Sequence, residues 1–135
     1  MAKKRKERNR IQGFWIPITY ELMDSMAFRE LNGAALKTLI LSFRKVKTHN
    51  AIDRYQTQFA FTYPEAEKSG LGHSSFNRAI RELIGLGFID CVSKGGMRCD
   101  GKACSMYRLS KRWEKYGTSE FEKKWPGHAE AVHGK

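Results

Sequence analysis

The sequence predicts an α+β domain with a three-helix core and a small antiparallel sheet. Its 135 residues are the length of one ordinary domain, and 41% of them are hydrophobic, which is sufficient for a single core. Two segments have the apolar spacing of helices with one buried face, and two short runs that favour strands flank a glycine-rich segment. We therefore predict a basic arm over residues 1–13, one folded domain over 14–113 and an extension over 114–135.

The first elements are short. Residues 1–13 are mostly polar and lack periodicity, which indicates a flexible arm. The segment 14–18 is apolar and extended, and Pro17 excludes it from a helix interior or a central strand. Thr19 and Ser25 are each placed to cap about one turn of helix.

The first long helix is predicted to begin at Asn32, a favoured N-cap residue. Its apolar positions follow the spacing of a buried helical face. They are Leu36, Leu39, Ile40 and Phe43. The helix should end near residues 47–50, the polar stretch 48–57 reads as a loop, and 58–61 reads as a short strand.

A second, short helix is marked by Thr62 and Glu65, which have the spacing of a capping box, and it should end at Ser69-Gly70. The third helix, about 73–86, has the clearest amphipathic pattern. Its apolar positions are Phe76, Ala79, Ile80, Leu83 and Ile84. Gly85 and Gly87 are expected to break it.

A hairpin is predicted next. Strands over 88–92 and 105–109 enclose a long, basic, glycine-rich tip. Beyond Trp113 the chain becomes polar, with Trp125 as its last apolar anchor, and we expect a short helix or a loose tail.

The net charge of +11 is concentrated in two places. Residues 1–10 and 71–113 each carry +5, whereas 11–70 carry +1 and 114–135 are neutral. Localised positive charge favours a polyanionic partner, because neutralising phosphates releases condensed counterions. The alternative is a solvated surface that serves solubility.

Helix, strand, capped helix, glycine turn, amphipathic helix and basic hairpin follow the order of a winged helix-turn-helix. Residues 70–83, followed by Gly87-Phe88-Ile89, resemble the helix-turn-helix signature of bacterial winged-helix DNA-binding proteins. The wider frame, residues 14–110, is similar to winged-helix domains of phage and plasmid replication initiators and related prophage-encoded proteins. Such families usually have Ser where this chain has Gly72, so the cap of the third helix falls either to Gly72 or to Ser74.

The side chains opposite the apolar stripe of the third helix are the candidate DNA contacts. They are His73, Ser74, Asn77, Arg78 and Arg81. Arginine pairs with guanine, asparagine with adenine, and serine with phosphates or base edges. The hairpin tip adds candidate phosphate contacts at Lys94, Arg98 and Lys102, and the arm adds Arg5, Arg8 and Arg10 for a minor groove. Each of these sets could instead be an ordinary solvated surface.

The resemblance and the charge imply a sequence-preferring protein that binds double-stranded DNA without a cofactor, in replication initiation or transcription regulation. A winged-helix module that docks on a replication or phage-assembly protein is one alternative, and binding of structured RNA is another. A homodimer is left open. No signal peptide or membrane span is visible, so a cytoplasmic, nucleoid-associated location is expected.

The sequence gives little support for a catalytic site or a metal site. The cysteines Cys91, Cys99 and Cys104 are too few for a disulfide framework and lack the second pair of a zinc site, and Cys91 reads as a small buried hydrophobe. Neither a phosphate-binding glycine loop nor a suitable carboxylate pair is present, so we predict that the protein is not an enzyme. The aromatic residues are assigned to the core rather than to stacking on single-stranded bases. They are Phe14, Trp15, Phe43, Phe59, Phe61, Phe76, Phe88 and Tyr107.

Overall fold

The computed structural model describes residues 12–46, 51–93 and 106–124. In chain order they form helices, strands and a final 3-10 helix, a mixed α+β arrangement as predicted. The elements are α1 (Tyr20–Met23), α2 (Met26–Arg29), α3 (Gly33–Val46), α4 (Ala51–Arg54), β1 (Gln58–Phe59), α5 (Tyr63–Lys68), α6 (His73–Leu86), β2 (Ile89–Ser93), β3 (Met106–Leu109) and the 3-10 helix Arg112–Lys115.

The predicted caps of the first three helices are confirmed. The Thr19 hydroxyl accepts a hydrogen bond from the Leu22 N–H, and the Ser25 hydroxyl accepts one from the Phe28 N–H. Asn32 Oδ1 accepts from the Ala35 N–H at 2.9 Å. Each side chain satisfies a backbone donor that a helix N-terminus leaves without an intrahelical partner.

The sheet is antiparallel, with strand order β1-β3-β2. The predicted hairpin is therefore present as the β2–β3 pair, and β1 lies on the other side of β3. Tyr107 in the middle strand is opposite Phe59 on one side and Cys91 on the other. The tip of the hairpin, residues 94–105, lies outside the described residues.

The core lies between α3, α6 and the sheet. All five predicted apolar positions of α6 are at most 6% exposed. They lie against the buried face of α3, which includes Leu39 and Phe43, and the sheet contributes Ile89 and Leu109. The hydrophobic stripe of α6 thus determines which side of the helix points away from the core.

The prediction of a loop over residues 48–57 was wrong in part, because α4 forms within this segment. Arg54 ends this helix, and it is only 8% exposed, with its guanidinium 4.9 Å from the centre of the Phe43 ring. The polar composition hides this burial, since an arginine can cover an aromatic side chain with its planar head group. Its buried Nε has no hydrogen-bond partner among the described residues.

Gly85 does not break α6, which continues to Leu86. The helix ends at Gly87, whose φ of +92° lies in the left-handed region. A Cβ atom here would lie 2.6 Å from the backbone nitrogen of Trp113. Both the turn and the neighbouring backbone therefore require glycine at this position.

Four side-chain assignments from the sequence were wrong or incomplete. Ile40, predicted on the buried face of α3, is 37% exposed. Phe14 and Trp15 are exposed, at 107% and 46%, because the segment that precedes α1 forms no regular element and packs on the core through Ile16 and Ile18 instead. Cys91 is buried as expected, but it is disulfide-bonded. The small number of cysteines argued against a disulfide framework, but it gave no indication of one isolated disulfide bond. No helix within the described ranges is long and apolar enough to cross a membrane.

Candidate nucleic-acid interface

Helices α5 and α6 are joined by a tight turn with a buried anchor. The predicted capping box starts α5: Glu65 accepts from the Thr62 N–H at 2.9 Å, and the Thr62 hydroxyl accepts from the Glu65 N–H at 3.3 Å. Gly70 has φ +89°, as expected for the end of this helix. Leu71 then inserts into the core, with its N–H bonded to the Ala66 carbonyl at 2.9 Å. The start of α6 is thereby placed beside α5.

Gly72 is the N-cap of α6, which resolves the choice between Gly72 and Ser74. The five predicted contact residues lie on one side of this helix. His73, Ser74, Arg78 and Arg81 are exposed, and Asn77 is half-buried. Within the described part of the chain, none of these five side chains forms a hydrogen bond or an ion pair. We call this set the outer face of α6.

Glu82, the single carboxylate in α6, is bonded to Asn32 just before α3. Its two oxygens accept from the Asn32 side-chain amide at 2.8 Å and from the Asn32 N–H at 3.2 Å. It therefore holds α6 against the start of α3 instead of pairing with Arg78, four residues earlier on the helix. The outer face keeps two uncompensated positive charges.

Tyr63, the first residue of α5, belongs to the same surface. Its ring stacks on the imidazole of His73, with centroids 3.7 Å apart and planes 13° apart. It also meets the edge of Phe76, with centroids 5.5 Å apart at 82°. Sequence reasoning missed Tyr63, because no periodicity relates residues on opposite sides of a turn.

Two lysines of α3 hold α5 in place. Lys37 donates to the Ser69 carbonyl at 2.9 Å, and Lys45 pairs with Glu65 at 2.9 Å. The pKa of Glu65 is lowered, first by the hydrogen bond from the Thr62 N–H and then by Lys45. These positive charges are engaged in positioning the turn.

The basic block 71–113 also contains an arginine that is not part of the outer face. Arg112 bonds to Asp90 at 2.7 Å and 2.9 Å. It also donates to the carbonyls of Ile84, Ile89 and Glu122. Its charge is used to hold the end of α6, β2 and the segment after the 3-10 helix together.

Lys94, Arg98 and Lys102 of the hairpin tip lie outside the described residues, as do Arg5, Arg8 and Arg10 of the arm.

A cleft of about 520 Å³ lies between α3, β1 and α5. Its walls include Leu41, Arg44, Phe59 and Phe61, and α6 contributes nothing to them. It is thus separate from the outer face. In the described ranges, no three histidine, cysteine or acidic residues come together as a metal site would require.

No protein-family model, curated protein or solved structure matches the chain.

Proposed function

We propose that this chain is a winged helix-turn-helix protein that binds double-stranded DNA with sequence preference. The observation that carries the proposal is the outer face of α6, where five polar and cationic side chains, four of them exposed, form no hydrogen bond or ion pair with any described residue. A helix whose one side is anchored in the core and whose other side offers hydrogen-bond donors suits a major groove about 12 Å wide.

The topology supports the winged part of the proposal. Helix α3, strand β1, helices α5 and α6, and strands β2 and β3 follow in the order of that fold, and the strand order is β1-β3-β2. The β2–β3 hairpin would be the wing, and Lys94, Arg98 and Lys102 at its tip would contact the phosphate backbone.

Each residue of the outer face has a role that its chemistry allows. Arg78 and Arg81 would bind guanine bidentately or contact phosphates, and Asn77 would pair with adenine. His73 and Ser74, in the first turn of α6, would hydrogen-bond to a base edge or a phosphate. The sequence resemblance adds the cellular process, namely replication initiation of a plasmid or phage, or transcription regulation, which share this module.

One observation favours a second candidate function, docking on a protein partner. Five large apolar side chains near the start of the described chain are exposed, and the three most exposed are Phe14 at 107%, Tyr20 at 81% and Met26 at 53%. Exposed apolar groups of this kind suit a protein interface better than a phosphate backbone.

Selection of bound duplexes from a random pool, followed by a salt titration on the selected site, tests the proposal. We expect enrichment of a defined sequence, and a log–log slope of affinity against salt of about −5 if about six phosphates are neutralised. Failure to enrich any duplex would contradict the proposal. Salt-insensitive binding to a protein partner alone would favour the second candidate.

A further inference from the structure

The stacked pair of Tyr63 and His73 gives one donor of the outer face a fixed direction. His73 is the first residue of α6, where an exposed side chain would ordinarily sample several rotamers. Here the phenol ring of Tyr63 covers one face of the imidazole at a centroid distance of 3.7 Å. The ring nitrogens remain without a hydrogen bond to any described residue. The imidazole is thus held by its face while its polar edge stays free.

Tyr63 is itself held firmly. Its ring meets the edge of Phe76, and Phe76 in turn packs on Phe61 at a centroid distance of 4.8 Å. Tyr63 remains 37% exposed. It is a rigid platform at the surface, anchored in the core on one side.

A preordered side chain binds more tightly than a mobile one, because ordering a side chain at an interface has an entropic cost. When the imidazole is stacked on a fixed ring, its conformational entropy is already lost when the protein folds and is not lost again on binding. Flat stacking also restricts the plane of the imidazole, which restricts the directions in which its nitrogens can hydrogen-bond.

We propose that Tyr63 is a positioning residue of the DNA interface, which acts by holding the imidazole of His73 for a hydrogen bond to DNA. The inference rests on the proposed function and deepens it, since it assigns a role to a residue outside α6. The acceptor is a base edge or a phosphate oxygen, and either is reached through the same imidazole edge.

A double-mutant cycle on duplex affinity tests this directly. We expect Tyr63→Ala to weaken binding to the selected duplex by about threefold to tenfold, the range that ordering one side chain allows. In the His73→Ala background the same substitution should change affinity by less than about twofold, because the side chain that it positions is absent. Equal losses in both backgrounds, or no loss in the wild-type background, would overturn the inference.

Two further variants separate stacking from folding. Tyr63→Phe keeps the flat ring and should bind like the wild type, whereas Tyr63→Leu fills the space beside Phe76 without a flat ring and should bind like Tyr63→Ala. Thermal unfolding of each variant identifies those that remain folded at the assay temperature. If Tyr63→Ala does not fold, the cycle is run with Tyr63→Leu. Tyr20→Ala, which removes an exposed tyrosine of α1, is the matched control and should leave affinity unchanged.

The source of the acceptor is read from single base-pair changes in the selected duplex. If His73 contacts a base, the loss of affinity caused by His73→Ala depends on the identity of one base pair. If His73 contacts a phosphate, the loss is the same for every duplex. In both cases, the inference is supported if His73→Ala no longer changes duplex affinity in the Tyr63→Leu background. It is overturned if His73→Ala still has its full effect there. If the wild-type protein binds a duplex and Arg78→Ala weakens it while the cycle is additive, only this inference fails. If the wild type binds no duplex, both proposals fail.

Discussion

The arginines of α6 and the arginine of the 3-10 helix have opposite surroundings. Arg78 and Arg81 are exposed and form no ion pair within the described ranges. The Arg112 side chain is 9% exposed and binds a carboxylate and three backbone carbonyls. A buried guanidinium needs such partners because desolvating an unpaired charge is costly. Arg112 therefore serves the fold, and the outer face of α6 is free to bind a ligand.

This difference shows what a charge count can and cannot establish. The sequence assigns +5 to residues 71–113, and that total includes Arg112 and its partner Asp90, which cancel each other in the structure. Glu82 is likewise turned toward Asn32. The charge available to a polyanion is set by the pairing of individual side chains, and the outer face keeps its charge because Glu82, the carboxylate of α6, is bonded to Asn32.

The largest expected effect comes from removing the buried arginine. Arg112→Ala should lower the free energy of unfolding by about 3 kcal/mol, because among the described residues it leaves Asp90, 14% exposed, with Lys124 at 3.9 Å as its one remaining cation. Urea denaturation followed by circular dichroism measures the loss. Lys115→Ala is the control: its pair with Glu120 is exposed, so we expect a loss of about 0.5 kcal/mol or less. Equal losses in the two variants would remove the distinction between buried and exposed cations.

The second prediction concerns the junction between α6 and the Arg112 segment. Gly87→Ala should cost about 2 kcal/mol or more, since a Cβ would meet the Trp113 backbone at 2.6 Å and φ is +92°. Gly85→Ala, two residues earlier, meets nothing within 4 Å and should stabilise the helix by up to about 1 kcal/mol. The pair of melting temperatures should move in opposite directions. A stabilised Gly87→Ala variant would mean that α6 does not end against the 3-10 helix.

A third ion pair, Lys45–Glu65, is intermediate, with side chains 24% and 48% exposed. The pKa of Glu65 is lowered in the folded state, so its charge contributes stability above pH 4.5, its ordinary value, and this is lost as pH falls through the lowered pKa. Glu65→Gln keeps a capping side chain, and after allowance for solvent screening it should cost about 0.5 kcal/mol at pH 7. Urea titrations at several pH values should show the difference vanish in acid. If the free energies of unfolding of the wild type and Glu65→Gln still differ in acid, the amide group itself, and not the lost charge, causes the difference.

The smallest expected effect on stability is on the outer face. Arg78→Ala and Arg81→Ala should each change the free energy of unfolding by no more than about 0.5 kcal/mol, because neither side chain has a partner to lose among the described residues. Urea denaturation again provides the measurement. A loss comparable to that of Arg112→Ala would show that these arginines serve the fold.

The sequence predicted the features that depend on local chemistry. The caps Thr19, Ser25, Asn32 and Thr62 and the amphipathic stripe of α6 are confirmed, because each depends on residues within a few positions along one helix. Features that depend on tertiary contacts were missed. The burial of Arg54 and the stack of Tyr63 on His73 each join residues whose proximity only the folded chain creates. The outer face was predictable because it lies opposite the apolar stripe of α6. That Glu82 bonds to Asn32 and leaves the arginines of this face unpaired was not predictable.

The central claim is tested most directly by the affinity of Arg78→Ala for the selected duplex, measured at one salt concentration beside Lys115→Ala. The account predicts that Arg78→Ala weakens binding to that duplex by about 1–3 kcal/mol and loses discrimination at one base pair, while Lys115→Ala binds like the wild type. Wild-type affinity of Arg78→Ala for every duplex would contradict it.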